Sequence, residues 1–360
     1  MLAGEIWRNC DLGFGKFYKL YTDIYIPASI REDYLENNVH FIYGTFDGNG
    51  HSISIADYTD EEISRLYHYY TTLLTLDPKP ILAKKSNRRV RSTSHRDEGG
   101  IIKNLNFIGT YKFPFCLFST EAPMAVESAD EAFYDYPYYI YMENVNNYAN
   151  FNFPEDISIM EFGPLFVDDT QTSPIITNCN NYGNIVASGN SHLIKCSGIG
   201  SCAYLYDTCN NYGNIANLYR GAGISSDGQR FHNCNNYGNI YGSGPGVFNV
   251  DRGISGIVHH LQISPERDSI TNCRNFGNID AGKQKYASGI VYSVWGPTDD
   301  EHGYNSDYDS RPIVNKCSNY GKISGSNHLA GIVGKVKLRS IIQNCYNSGE
   351  IDDVESSGTI

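Results

Sequence analysis

Three groups of side chains in this 360-residue chain have the types and spacing to do chemistry. An acidic cluster, Asp299-Asp300-Glu301-His302 followed by Asp307-Tyr308-Asp309, offers oxygen ligands that suit calcium, but it lacks the Asp-x-Asp-x-Asp-Gly register of an EF-hand loop. A second group gathers Asp251, Arg252, His259, His260, Glu266, Arg267 and Asp268. The third is a basic run containing Lys84, Lys85, Arg88, Arg89 and Arg91, which suits an anionic glycan or another polyanion; a solvated loop is the plainer reading. An inverting glycosidase holds two carboxyl groups about 6.5–9.5 Å apart. Paired aspartates occur at 168–169, 299–300 and 352–353, but no Gly-His-Gly and no Arg-x-Lys accompanies them. No Ser-His-Asp or Cys-His arrangement and no phosphate-binding loop is legible. The balance leans away from catalysis. It points to binding by loop residues of 243–268 and 297–311, with no cofactor and with calcium as the one metal the acidic loop would suit.

What positions these loops is a repeat. Segments 178–185 and 233–240 both read NCNNYGNI, and 208–215 reads TCNNYGNI. NCRNFGNI (272–279), KCSNYGKI (316–323) and NCYNSGEI (344–351) follow the same pattern, and NVNNYANF (144–151) is a degenerate copy. Most copies are followed by a Gly-Ile step, as at Gly198-Ile199 and Gly223-Ile224. Successive cysteines of the repeat are 30, 25, 39, 44 and 28 residues apart. A fixed core with variable spacing fits a parallel β-helix, in which each coil returns to the same place and extra residues loop out at a corner. Helical repeats are excluded by the Asn- and Gly-rich cores, and a propeller blade does not fit the 25-residue interval. The expected fold is all-β, a single right-handed parallel β-helix over 1–360, its handedness set by the crossover rule. A helical and basic insertion is expected over 58–98. Thr59-Asp60-Glu61-Glu62 reads as a capping box and Ile63, Leu66, Tyr67, Tyr70, Leu73 and Leu74 as one apolar face, which predicts a helix near 59–76.

Stacking turns each repeat position into a column with one residue per rung, about 4.8 Å apart. Asn147, Asn181, Asn211, Asn236, Asn275, Asn319 and Asn347 are expected to form a buried amide ladder. Cys179, Cys209, Cys234, Cys273, Cys317 and Cys345 read as small apolar fillers with free thiols, because Val145 holds the same position and neither ligates metal nor forms a disulfide. The glycines at 183, 213, 238, 277, 321 and 349 are expected to supply a positive φ at the bend. The aromatic column Tyr148, Tyr182, Tyr212, Tyr237, Phe276 and Tyr320 reads first as a structural stack and second as a sugar-stacking stripe.

The opening segments, 17–24, Gly44-Thr45-Phe46-Asp47-Gly48-Asn49-Gly50-His51-Ser52-Ile53 and Ile102-Lys103-Asn104-Leu105-Asn106-Phe107, resemble the first coils of GLUG-repeat proteins, bacterial surface β-helices of the pectin-lyase-like superfamily. The N-C-x-N-x-G-x-I cores over 142–360 look like GLUG repeats themselves. The resemblance implies a scaffold or adhesive surface at the cell surface, displaying corner loops to a glycan or a host protein. A polysaccharide lyase or glycoside hydrolase, such as a phage tail depolymerase, is the alternative. A net charge of −12 disfavours nucleic acid as a partner, and no apolar run is long enough to insert in a membrane. The chain starts without a leader and ends in mid-coil, so a fragment, or a partner covering the last coil, is expected.

Overall fold

The computed structural model describes residues 16–36, 39–41, 44–63, 71–76, 100–120, 140–155, 158–159, 161–168, 174–189, 192–243, 253–261, 269–282, 286–294, 312–325, 328–336 and 340–353. One coil shows how the sequence writes the fold. Ile175–Thr177 is a strand; Asn178 then turns the chain with φ 52°, and Cys179 leads into the short strand Asn180–Asn181. A Tyr-Gly-Asn corner follows, then strand Ile185–Ala187, and later strand Cys196–Ser197 and the Gly198-Ile199 step. The next coil lies directly on this one: Ile176 pairs with Tyr206, Asn181 with Asn211, Ile185 with Ile215 and Cys196 with Gly221, all in parallel. Repetition builds a parallel β-helix with a long 21-stranded sheet, a ten-stranded sheet and a five-stranded sheet; a fourth sheet joins Val39–Phe41, Thr71–Leu76, Phe115–Thr120 and Phe166–Asp168. The 39- and 44-residue intervals do not disturb the stacking, since Asn236 pairs with Asn275 and Asn275 with Asn319.

Inside, the cysteine column is continuous with Leu105 and Val145, which pair with each other one and two coils earlier. Leu105, Val145, Cys179, Cys209, Cys234, Cys273 and Cys317 are all buried, and the six cysteines of the column are free thiols. Each thiol also reaches a carbonyl, as Cys179 Sγ does at Thr177 O (3.3 Å) and Cys209 Sγ at Ile176 O on the coil below (3.4 Å). Burial pushes the Cys179, Cys234 and Cys273 thiols well above their ordinary range, which keeps them protonated and unreactive. An aqueous thiol reagent is therefore expected to modify these three only as fast as the chain unfolds, and to reach the half-buried Cys345 sooner; mass spectrometry of timed labelling checks the order.

The asparagine ladder is unbroken. Asn147, Asn181, Asn211, Asn236, Asn275 and Asn319 each donate from Nδ2 to Oδ1 of the next rung at 2.6–2.7 Å, ending at Asn347. The second Nδ2 hydrogen goes to the carbonyl two residues on, for example Asn211 to Gly213 at 2.9 Å. A parallel half-exposed column runs the opposite way: Asn235 donates to Asn210, Asn210 to Asn180 and Asn180 to Asn146. Two neighbouring rows of amide dipoles thus oppose each other, and hydrogen bonding accumulates along the axis without a large net dipole.

Two expectations are corrected. The corner glycines do not take a positive φ; the residue before each cysteine does, at Asn144, Asn178, Thr208, Asn233, Asn272, Lys316 and Asn344, with φ 52–56°. Asparagine tolerates that conformation better than most residues. The glycines are needed because there is no room for a Cβ: at Gly183, Gly213, Gly238, Gly277, Gly321 and Gly349 it would lie 1.8–2.0 Å from a carbonyl oxygen of the coil below. Of the helix expected near 59–76, the described residues show Asp60–Ile63, with its capping box in place (Thr59 N–H to Glu62 Oε2, 2.7 Å; Glu62 N–H to Thr59 Oγ1, 3.3 Å). Thr71–Leu76 is a strand, buried at Leu73 and paired with Val39–Phe41 and Phe115–Thr120. Two neighbouring strands override a helical spacing, and three threonines suit the sheet. Leu66, Tyr67 and Tyr70 lie outside the described residues. The longer helix, Ala28–Glu36, went unread in the sequence; it inserts Arg31, which is buried against the Tyr58 ring, pairs with Glu62 at 2.6 Å and donates to Asp57 O.

Candidate functional site

The corner between the long and the ten-stranded sheets carries the most regular surface. Because Cys179 and Asn181 point inward on either side of Asn180, and Ile185 points inward again, Tyr182 and Asn184 are left outside. Repetition stacks Tyr148, Tyr182, Tyr212, Tyr237, Phe276 and Tyr320 face to face, with centroids 4.7–5.0 Å apart and planes within 2–9°. Each ring is still 39–47% exposed. The spacing is that of adjacent strands, so the rings occupy one another's faces. A sugar cannot lie flat on them. What they show outward is a line of ring edges and phenol hydroxyls, with the Tyr182 and Tyr212 phenols raised by burial and by their neighbours. Tyr346 breaks the pattern, tilted 61° from Tyr320 at 6.5 Å.

Beside the rings runs a third asparagine column. Oδ1 of Asn150, Asn184, Asn214, Asn239 and Asn278 accepts the backbone N–H of the residue one coil on, each at 2.9 Å. Each carbonyl oxygen is thereby held in place, and among the described residues no partner takes the Nδ2 group of Asn184, Asn214, Asn239 or Asn278. The next outward position, two residues further, holds Val186, Ala216 and Tyr241. Together with Thr110, Asn150, Asn152, Asn184 and Asn214 they line an open groove of about 540 Å³. That size lies within the range of small-molecule sites. Tyr241 closes one end, 41% exposed and without a ring partner among the described residues.

A second polar face lies at the start of the five-stranded sheet. Phe162 and Cys196 bridge, and Cys196 pairs with Gly221, so the residue before each forms an outward column of Glu161, Lys195 and Arg220. Lys195 pairs with Glu161 at 2.8 Å and with Asp227 at 2.7 Å. Burial works to lower the Lys195 pKa, but the two carboxylates outweigh it and hold it above its usual value. Burial raises Asp227, against the pull of Lys195. Next to them, strand Val258–Leu261 carries His259 and His260. His259 is fully buried, stacks on Tyr292 at 4.7 Å, and neither of its ring nitrogens has a hydrogen-bond partner among the described residues. Burial, reinforced by His260, Arg220 and Lys195, drives its pKa well below the ordinary imidazole value.

That shift makes stability pH-dependent. The unfolded chain binds a proton at His259 near pH 6.5 and the folded one does not. The contribution is fully present above about pH 6.5 and is lost as pH falls toward the depressed folded pKa. Denaturation midpoints measured from pH 7.5 to 5 are expected to fall for the natural chain, and to fall less for His259→Phe, which keeps a ring against Tyr292.

Of the side chains singled out in the sequence for binding, His259 and His260 are brought to this face. Asp251, Arg252, Asp299, Asp300, Glu301, Asp307, Asp309, Arg88, Arg89 and Arg91 lie outside the described residues, as does the calcium expectation placed on the acidic cluster. Among the described residues no group of three or more His, Cys, Asp or Glu could hold a metal ion, and no helix is long and apolar enough to cross a membrane. Sequence reading missed Glu161, Lys195, Arg220, Asp227 and the Asn150 column. The signal for the first three was a charge set immediately before a buried Phe, Cys or Gly, at positions that only the coil register aligns. No family model matches the chain, and no curated protein or solved structure is significantly similar to it.

Proposed function

We propose that the chain is a non-catalytic binding module that holds an extended, uncharged glycan along the groove beside the aromatic stack. The observation that carries this reading is the groove in which Asn184 and Asn214 present amide groups at rung spacing, with no partner among the described residues, up to the exposed Tyr241 at its end; Asn239 and Asn278 continue the row beyond it. Fixed amides meet sugar hydroxyls without first losing side-chain freedom, and a free aromatic face supplies the one stacking contact that the ring column cannot. The net charge of −12 favours a neutral polymer over a polyanion. A stiff solenoid repeats such contacts over several coils, which suits adhesion or a stalk. The resemblance of the repeats to GLUG surface proteins supports display at a cell surface.

The test is affinity electrophoresis and calorimetry against neutral polysaccharides, with chain length and reducing ends followed in parallel. Saturable binding is expected, weakened at least tenfold by Tyr241→Ala and by Ala216→Arg, which fills the groove floor, with the unfolding midpoint unchanged. Release of reducing ends or of unsaturated sugars would establish a polysaccharide-cleaving enzyme instead, and binding indifferent to both substitutions would remove the groove from consideration.

A further inference from the structure

We propose that Lys195 and Asp227 become joined by an isopeptide bond, with Glu161 as the acid–base group that makes it, so that the coil carrying Lys195 is tied covalently to the next. The three side chains come from three successive coils. Phe162 bridges Cys196 and Gly200 bridges Ser225 in parallel, which sets Glu161 on the coil before Lys195 and Asp227 on the coil after it. Lys195 Nζ touches Asp227 Oδ2 at 2.7 Å and Glu161 Oε1 at 2.8 Å. The Asp227 carboxyl carbon, one C–O bond further on, is therefore within about 4 Å of the nitrogen, close to the roughly 3–3.5 Å of a reacting pair.

Burial separates this cluster from an ordinary ion pair. The Asp227 side chain is 9% exposed and that of Lys195 18%, and Glu161 Oε1 is shut off from solvent. Lys322 is the contrast within the same chain. It also sits between two carboxylates, Glu350 at 3.3 Å and Asp352 at 3.0 Å, but those three side chains are 40–68% exposed. Water there keeps amine and acids ionised, and an ammonium facing a carboxylate does not condense. At Lys195, by contrast, three charges share a site that disfavours each of them. Burial already draws Asp227 toward its protonated, electrophilic form. The two carboxylates that hold the ammonium charged are also the groups able to take its protons. One proton moved from nitrogen to Asp227 leaves a neutral amine beside a neutral acid.

The step balances without a further reagent. The ammonium passes one proton to the Asp227 carboxylate, and the Nζ lone pair then attacks Cγ to form the C–N bond. Glu161 takes a second proton from Nζ and hands it to the Asp227 hydroxyl, which leaves as water when the C–O bond breaks. Glu161 ends as the carboxylate it began as, and one positive and one negative charge have gone. The place gives the bond a use. Here the coils are held by two-residue strands and isolated bridges, Cys196–Ser197 on Gly221–Ala222 and Gly200 on Ser225. A covalent tie adds most where backbone pairing is thinnest. The bond is separate from the groove and stands or falls independently of the neutral-glycan reading.

The test is intact-mass spectrometry of the purified chain, followed by proteolysis and sequencing of any linked peptides. The natural chain is expected to be one water lighter than its sequence, with the peptide of Lys195 joined to that of Asp227 and with Lys322 free. Lys195→Arg, which keeps a cation between the two carboxylates, and Asp227→Ala are expected at full mass. Glu161→Gln is expected to form the bond about a hundredfold more slowly or worse, with an unchanged circular dichroism spectrum. A natural chain at full sequence mass overturns the proposal whatever the variants do. So does a water loss that survives Lys195→Arg and yields no linked pair, the mark of ring closure at Asp227-Gly228 instead. Bond formation at the natural rate in Glu161→Gln would overturn the role given to Glu161.

Discussion

Gly213→Ala is expected to lower stability by more than about 3 kcal/mol, beyond the usual range for adding one methyl group to a packed interior. The added Cβ would sit 1.8 Å from Gly183 O and 2.8 Å from Asn181 Nδ2. Those two atoms are hydrogen-bonded to each other at 2.9 Å, so the methyl group strikes backbone and ladder together, and no side chain at the contact is free to swing away. Gly282→Ala separates crowding from backbone conformation. Gly282 has φ +56° and nothing nearer than 3.8 Å to its missing Cβ, so only the left-handed penalty of about 1–2 kcal/mol applies. Urea unfolding followed by circular dichroism ranks the two variants. Equal costs would mean that the corner glycines serve backbone freedom after all and that the coils are not in such close contact. The degenerate first copy already contains the control, because Ala149 occupies the glycine position, fully buried, above a coil where Phe107 stands in place of the ladder asparagine. What demands glycine is the coil beneath, not the bend itself.

This is also where sequence reading reached its limit. The periodic Cys, Asn and Gly positions revealed the solenoid and its columns, because a residue that recurs at a fixed offset through variable spacing must occupy one place on a rung. The reason for each residue was less accessible. Positive φ and lack of Cβ space both select glycine, and only the distance to Gly183 O distinguishes them at Gly213. In 59–76 the apolar spacing fitted a helix, yet Leu73 is inside a strand whose partners lie 30 and more residues away in the chain. The Lys195, Asp227 and His259 face was invisible for a related reason. These residues share no motif and are separated by 32 positions each, and they meet only because Lys195 and Asp227 lie on neighbouring coils while His259 follows on the next. Asn184 and Asn214, by contrast, were in plain view as part of NYGNI, but their role as an outward ladder depends on which side of the corner they fall.

The buried ladder gives the other large expected effect. Asn211→Asp replaces an amide by a group of the same shape that, once ionised, can no longer donate. The natural side chain gives one hydrogen to Asn236 Oδ1 at 2.7 Å and one to Gly213 O at 2.9 Å, and accepts one from Asn181 at 2.7 Å. An ionised aspartate keeps only the last of these and turns lone pairs toward two carbonyl oxygens, in a place without solvent. An uncompensated buried charge of this kind costs about 3–5 kcal/mol. Its folded pKa must therefore rise above the ordinary value near 3.9, because desolvation and the facing oxygens both oppose ionisation. The folded chain then holds a proton that the unfolded chain releases, so the penalty is complete above the folded pKa and shrinks as pH falls through it, until below about pH 3.9 both states are protonated. Asn211→Leu loses all three hydrogen bonds without a titrating group, and its deficit relative to the natural chain stays constant over that range. Unfolding midpoints of the two variants between pH 8 and 4 should thus converge as the solution becomes more acidic. Should they run parallel, the amide column would have to be wet, and the buried ladder would lose its claim to hold one coil upon the next.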